Sequence, residues 1–195
     1  MACDISKSRR EACKESVGGI KNLYIANYNS AMYAGMDDGP TPAQAPTSST
    51  FDGEVDALAA AVDVYLFEVR GDNNTFEETN ENSRDNGTSF WTQSGSFVIK
   101  AQNAETMMQL KLLSYGRPHI IIEDYNGKFR MAGAQNGVEV SVNTSTGGAM
   151  GDLYGYTISF EGREVLPALF INPDLIDDAA GFVIQDESAD FMSNE

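Results

Sequence analysis

Few side chains in this sequence are suited to chemistry. Its one histidine, His119, opens the apolar run H-I-I-I. A triad or metal cluster needing several imidazoles is therefore excluded, and a packed strand histidine is expected. Cys3 and Cys13 have nine residues between them and no histidine neighbour; without a C-x-x-C pair they are expected as reduced thiols, neither zinc ligands nor a redox pair. The glycine run T-S-T-G-G-A-M-G at 144–151 lacks the G-K-[ST] of a phosphate-binding loop and reads as a turn. Acids at Asp37 and Asp38, and along 72–85, offer oxygen ligands, but without the alternating pattern that ends in a bidentate glutamate they predict weak calcium binding at most. Glu123 and Asp124 would do acid–base work only inside a cleft. The residues thus point to no catalytic, cofactor or metal set, and a non-enzymatic protein is expected.

The elements that would position any site are mostly strands. Residues 17–28 read as a first strand apolar on both faces, with Leu23 and Ile25 opposite Tyr24, Ala26 and Tyr28. The Pro- and Gly-rich stretch 34–50 reads as a surface loop. V-D-V-Y-L-F-E-V-R at 62–70 is a strand, the polar segment 71–87 a long hairpin tip, and 88–100 a returning strand. Together they predict an antiparallel ribbon with a projecting end. Asn103 caps a helix running to about Tyr115, whose stripe of Ala104, Met108, Leu112 and Tyr115 is expected to pack into the core. The stretch 114–171 then holds four β-segments joined by glycine turns. Asn126 and Gly127 form the strongest hairpin signal, as a two-residue turn with positive φ at both positions.

At 195 residues the chain fits one domain with a real core. We expect a single β domain over 1–171, with an N-terminal arm and the inserted loops 34–50 and 71–87. An acidic, mobile or peripheral tail follows over 172–195, with seven acids and no Lys or Arg; its Leu175, Ile176, Phe182, Val183, Ile184, Phe191 and Met192 are the residues that would dock on a partner. The net charge of −16 repels nucleic-acid phosphate and argues against a nucleic-acid reader. No run of about 18 apolar residues and no signal-peptide core occur, so synthesis in the cytoplasm and no membrane partner are expected. The only locally basic segment, with Lys7, Arg9, Arg10 and Lys14, reads as a solvated arm or a docking segment for a neighbouring subunit.

The opening M-A-C-D-I-S-K-S-R-R-E-A-C-K-E-S-V-G-G-I-K-N-L-Y, the helix before G-R-P-H-I-I-I-E-D-Y-N-G-K-F, and the closing T-G-G-A-M-G-D-L-Y-G-Y-T-I-S-F-E-G-R-E-V-L-P-A resemble virion structural proteins of tailed bacteriophages. The resemblance is to tail-tube or tail-ring proteins of phages infecting Bacteroidota, including the crAss-like group, and covers residues 1–30 and 88–171. It implies a mainly β (α+β) fold, a two-sheet β-sandwich or half-barrel with one flanking helix. It also implies a ring of copies, commonly sixfold, stacking to enclose a DNA channel in the virion tail. Partners would be the protein itself and other tail or connector proteins, with genomic DNA passing through unbound. The arm residues Lys7, Arg9 and Arg10, and Asn73, Asn74, Phe76 and Glu77 of the expected tip, are the candidate subunit contacts. The alternatives are a capsid-decorating or receptor-binding module on the virion surface, and a small hydrolase using buried carboxylates.

Overall fold

The computed structural model describes Arg9, residues 16–32 and residues 54–185. Lys7, Arg10, both cysteines, Asp37, Asp38, the 34–50 loop and residues 186–195 lie outside the described residues.

Eleven strands and one α-helix occur among the described residues. They are β1 (Ile20–Ala26), β2 (Glu54–Val55), β3 (Val62–Glu68), β4 (Thr75–Ser83), β5 (Thr88–Lys100), α1 (Ala104–Leu113), β6 (His119–Asp124), β7 (Phe129–Ala132), β8 (Glu139–Ser145), β9 (Gly155–Glu164), β10 (Leu169–Ile171) and β11 (Phe182–Gln185). Seven of them form one curled, half-barrel sheet in the order β11-β3-β1-β6-β7-β10-β2. The other four form an antiparallel sheet in the order β4-β5-β9-β8. The expected mainly β fold of two sheets with one helix is the fold the chain adopts.

Burial explains why β1 is apolar on both faces. Leu23 and Ile25 join a core between the two sheets, with Ile120, Ile122, Phe97, Ile158 and Phe160. Tyr24 and Ala26 point the other way, into a second core in the hollow of the curled sheet, with Ile121, Met131, Leu169 and Phe182. In β6 the three consecutive isoleucines alternate between the same two cores. A strand buried on both faces loses the polar alternation of a surface strand, and each fully buried Ile contributes about 1.5–3 kcal/mol.

Four details depart from the sequence reading. First, β3 does not pair with β5. It lies between β1 and β11, whereas β5 lies between β4 and β9. The polar stretch 71–87 is largely strand, since β4 pairs with β5 over nine residues from Thr75 to Ser83, leaving a short turn that closes at Gly87 with φ +64°. Its backbone ladder holds this edge strand although its side chains carry little β preference.

Second, the Asn126 turn is longer than two residues, and only Gly127 has positive φ (+70°). Asp124 organises it by accepting the Asn126 and Lys128 N–H groups, both at 2.8 Å, so the aspartate does the work expected of a second left-handed residue.

Third, α1 is capped as expected, with Asn103 Oδ1 accepting from Thr106 N at 2.6 Å. However, Leu110 faces the core while Met108, Leu112 and Tyr115 are 50%, 63% and 79% exposed. The helix is apolar on two sides and buries the narrower one.

Fourth, residues 172–185 are not a peripheral tail. Phe182 is fully buried, Leu175 nearly so, and β11 pairs in parallel with β3.

Candidate functional site

Period-two alternation divides the four-stranded sheet cleanly. Phe76, Phe97, Val140, Ile158 and Phe160 point into the core, and the intervening residues face out. Cross-strand register aligns these outward residues in rows. One row runs Glu77, Ser94, Glu161, Glu139, and the next runs Thr75, Ser96, Ser159, Ser141. A shallow groove of about 560 Å³ follows the two rows. Its polar lining is short hydroxyls and carboxylates only. Arg163, one row away, is paired to Glu161 at 3.4 Å, and Lys100 stands at the strand end.

The carboxylates of this face repel phosphate. Within the two rows the side chains are short hydroxyls and carboxylates, and the nearest long cation, Arg163, is spent on Glu161.

A second cleft of about 310 Å³ opens where the sheets part, bordered by Gly19, Ile20, Asn74, Thr75, Phe76, Glu77, Lys128 and Arg130. Arg130 is already engaged, its guanidinium carbon 4.6 Å from the Phe170 ring centroid.

The expected contact residues are dispersed among different tasks. Asn74 is buried, donating to Gly71 O at 3.0 Å and accepting from Val98 N at 3.1 Å. Phe76 is half-buried and stacks on Phe160 at 6.3 Å. Asn73 and Arg9 are exposed, and only Glu77 belongs to the outward rows. Asn74 and Phe76 therefore hold the fold together and do not project from a tip. Ser96, Ser141, Ser159, Glu139 and Glu161 were missed as site residues, because single serines and glutamates carry no motif. They become a pattern only when the strand pairing is known.

Three further carboxylates, Glu123, Glu164 and Asp152, are committed to structure. Burial raises the Glu123 carboxyl, but hydrogen bonds from Lys21 at 2.5 Å, Asn22 at 2.7 Å and Tyr24 at 3.1 Å outweigh it and leave the group below its ordinary value. Burial and the adjacent Glu123 charge push the Tyr24 phenol up to about 12. Glu164 is 2% exposed. Burial keeps it above the usual range despite the Asn136 and Gln135 N–H groups that donate to it at 2.7 and 3.1 Å. Asp152 fills the glycine run itself, accepting from Gly148 N and Ala149 N at 2.8 Å, which leaves those two amides no role in cradling phosphate. Among the described residues no three His, Cys, Asp or Glu side chains converge to hold a metal ion, and no helix is long and apolar enough to cross a membrane.

Comparison with protein-family models, curated proteins and solved structures gave no match.

Proposed function

We propose that the chain is a non-enzymatic virion structural protein of a tailed bacteriophage, one subunit of a tail tube or tail ring that forms the DNA conduit. The observation that carries this reading is the outer face of the four-stranded sheet, with its two rows of hydroxyls and carboxylates. Double-stranded DNA carries about one negative charge per 1.7 Å of axis. A wall bearing Glu77, Glu139 and Glu161 lets it slide without binding.

The sheet edges support the reading independently. Among the described residues, β4 and β8 are the two edges of an antiparallel sheet with an even number of strands. When β8 of one copy meets β4 of the next, the antiparallel alternation continues unbroken. A head-to-tail contact of this kind closes into a ring and removes both edges from solvent.

Electron microscopy of the purified protein at high concentration tests the proposal, with rings or short tubes as the expected result. A strictly monomeric species under all conditions would overturn it. Labelling in intact particles separates the conduit from a decoration, since the first places the protein on the tail axis and the second on the head.

A further inference from the structure

His119 is fully buried at the start of β6, and both ring nitrogens are engaged. Nδ1 lies 2.6 Å from Gly133 O, an atom that only accepts, so Nδ1 carries the proton. Nε2 accepts from the Asn29 backbone N–H at 3.0 Å. These two partners fix a single neutral tautomer. The Gly133 N–H in turn donates to Gln93 Oε1 at 2.8 Å, so one line of hydrogen bonds runs from the four-stranded sheet through Gly133 and His119 to residues 27–32.

Those residues form a strap beyond β1. Tyr28 stacks on the imidazole at 5.2 Å and donates to Gln135 O at 3.0 Å. Met32, 1% exposed, plugs the hollow of the curled sheet, with its carbonyl accepting from Ala59 N at 3.0 Å.

We propose that His119 is an acid-sensitive latch: protonation at Nε2 releases the 27–32 strap and uncovers the core beneath Met32. A proton taken from solvent turns Nε2 from acceptor to donor, so two donors then face each other at Asn29 and the contact must break. Two charged side chains border the stack. Arg117 lies over the Tyr28 ring, 4.6 Å from its centroid, and adds positive charge beside the stack. Glu164 of β9 is the carboxylate on the neighbouring turn, but it is held by Gln135 and Asn136. Burial lowers the His119 pKa below 6.5, so the latch holds at neutral pH and opens on acidification.

Hydrogen exchange from pH 7.5 to pH 5, corrected for intrinsic rates, tests the latch. The expected result is about tenfold faster exchange at residues 29–32, with the amides of β9 unchanged. His119→Gln, which keeps one donor and one acceptor, removes the pH dependence, whereas Glu164→Gln retains it. Flat protection at 29–32, or an unchanged response in His119→Gln, overturns the proposal. Should His119→Gln fail to fold, the wild-type protein still decides by NMR. The Asn29 amide shift must titrate with the same midpoint as the imidazole, and different midpoints overturn the latch.

Discussion

Gly95 on β5 stands directly opposite Phe160 on β9, and the phenylalanine ring occupies the space where a side chain at 95 would be. A Cβ at that position would meet Phe160 Cζ at 2.5 Å and the Thr75 carbonyl oxygen at 2.7 Å. The first of these neighbours is wedged between Phe76 and Phe97 and the second is backbone, so neither yields. Gly95→Ala is expected to cost about 1–3 kcal/mol by overpacking, read as a shift in the denaturation midpoint at constant m-value. Adding Phe160→Leu should cost less than the sum of the two single changes, since they share one space.

The helix supplies a contrast of two leucines. Leu110 is buried and Leu112 is 63% exposed. Leu110→Ala should cost about 2–4 kcal/mol, and Leu112→Ser should stay within about 0.5 kcal/mol. Urea unfolding of the monomer distinguishes them, and equal effects would contradict the orientation of α1.

Phe182 tests whether the last described strand belongs to the domain. It is fully buried among Val62, Val64 and Leu175, so Phe182→Ala should cost about 3–5 kcal/mol. A detachable tail would show no loss of stability.

Two glutamates give acid responses of opposite sign. Glu123 sits below its ordinary pKa in the fold, so its stabilisation is present above the unfolded value and is lost as pH falls through the folded one. Glu164 sits above its ordinary value, so the fold takes up that proton first and gains stability over the same descent. Measured from pH 7 to 3, the advantage of wild type over Glu123→Gln should shrink on acidification. Relative to Glu164→Gln, wild type should gain.

Much of the fold was legible because it is local. Asn103 announced the helix start, and the glycine turns of the 114–171 cassette separated four of its five strands, whereas the short β10 was not foreseen. Partner choice was not legible. β3 and β5 look equally ready to pair with each other, and only the two-sided core around β1 draws β3 away. The helix stripe misled for a related reason. Met108, Leu112 and Tyr115 form the wider apolar face, yet Leu110 with Leu113 is the set that meets the sheets. The candidate site was the least legible part, since Ser96, Ser159 and Ser141 align only through pairings between strands remote in sequence.

The parallel pairing of β11 with β3 has a kinetic consequence. Phe182 meets Val62 across 120 intervening steps of chain, so the curled sheet cannot close until that length has been synthesised. At about 5–20 residues per second this takes about 6–24 s, during which the outer edge of β3 and the hollow that Phe182 fills stay open. The four-stranded sheet draws its strands from residues 75–164 and is complete earlier. The nascent chain therefore assembles its hydroxyl-and-carboxylate face first and seals its second core last, and this interval is when it is most exposed to misassociation.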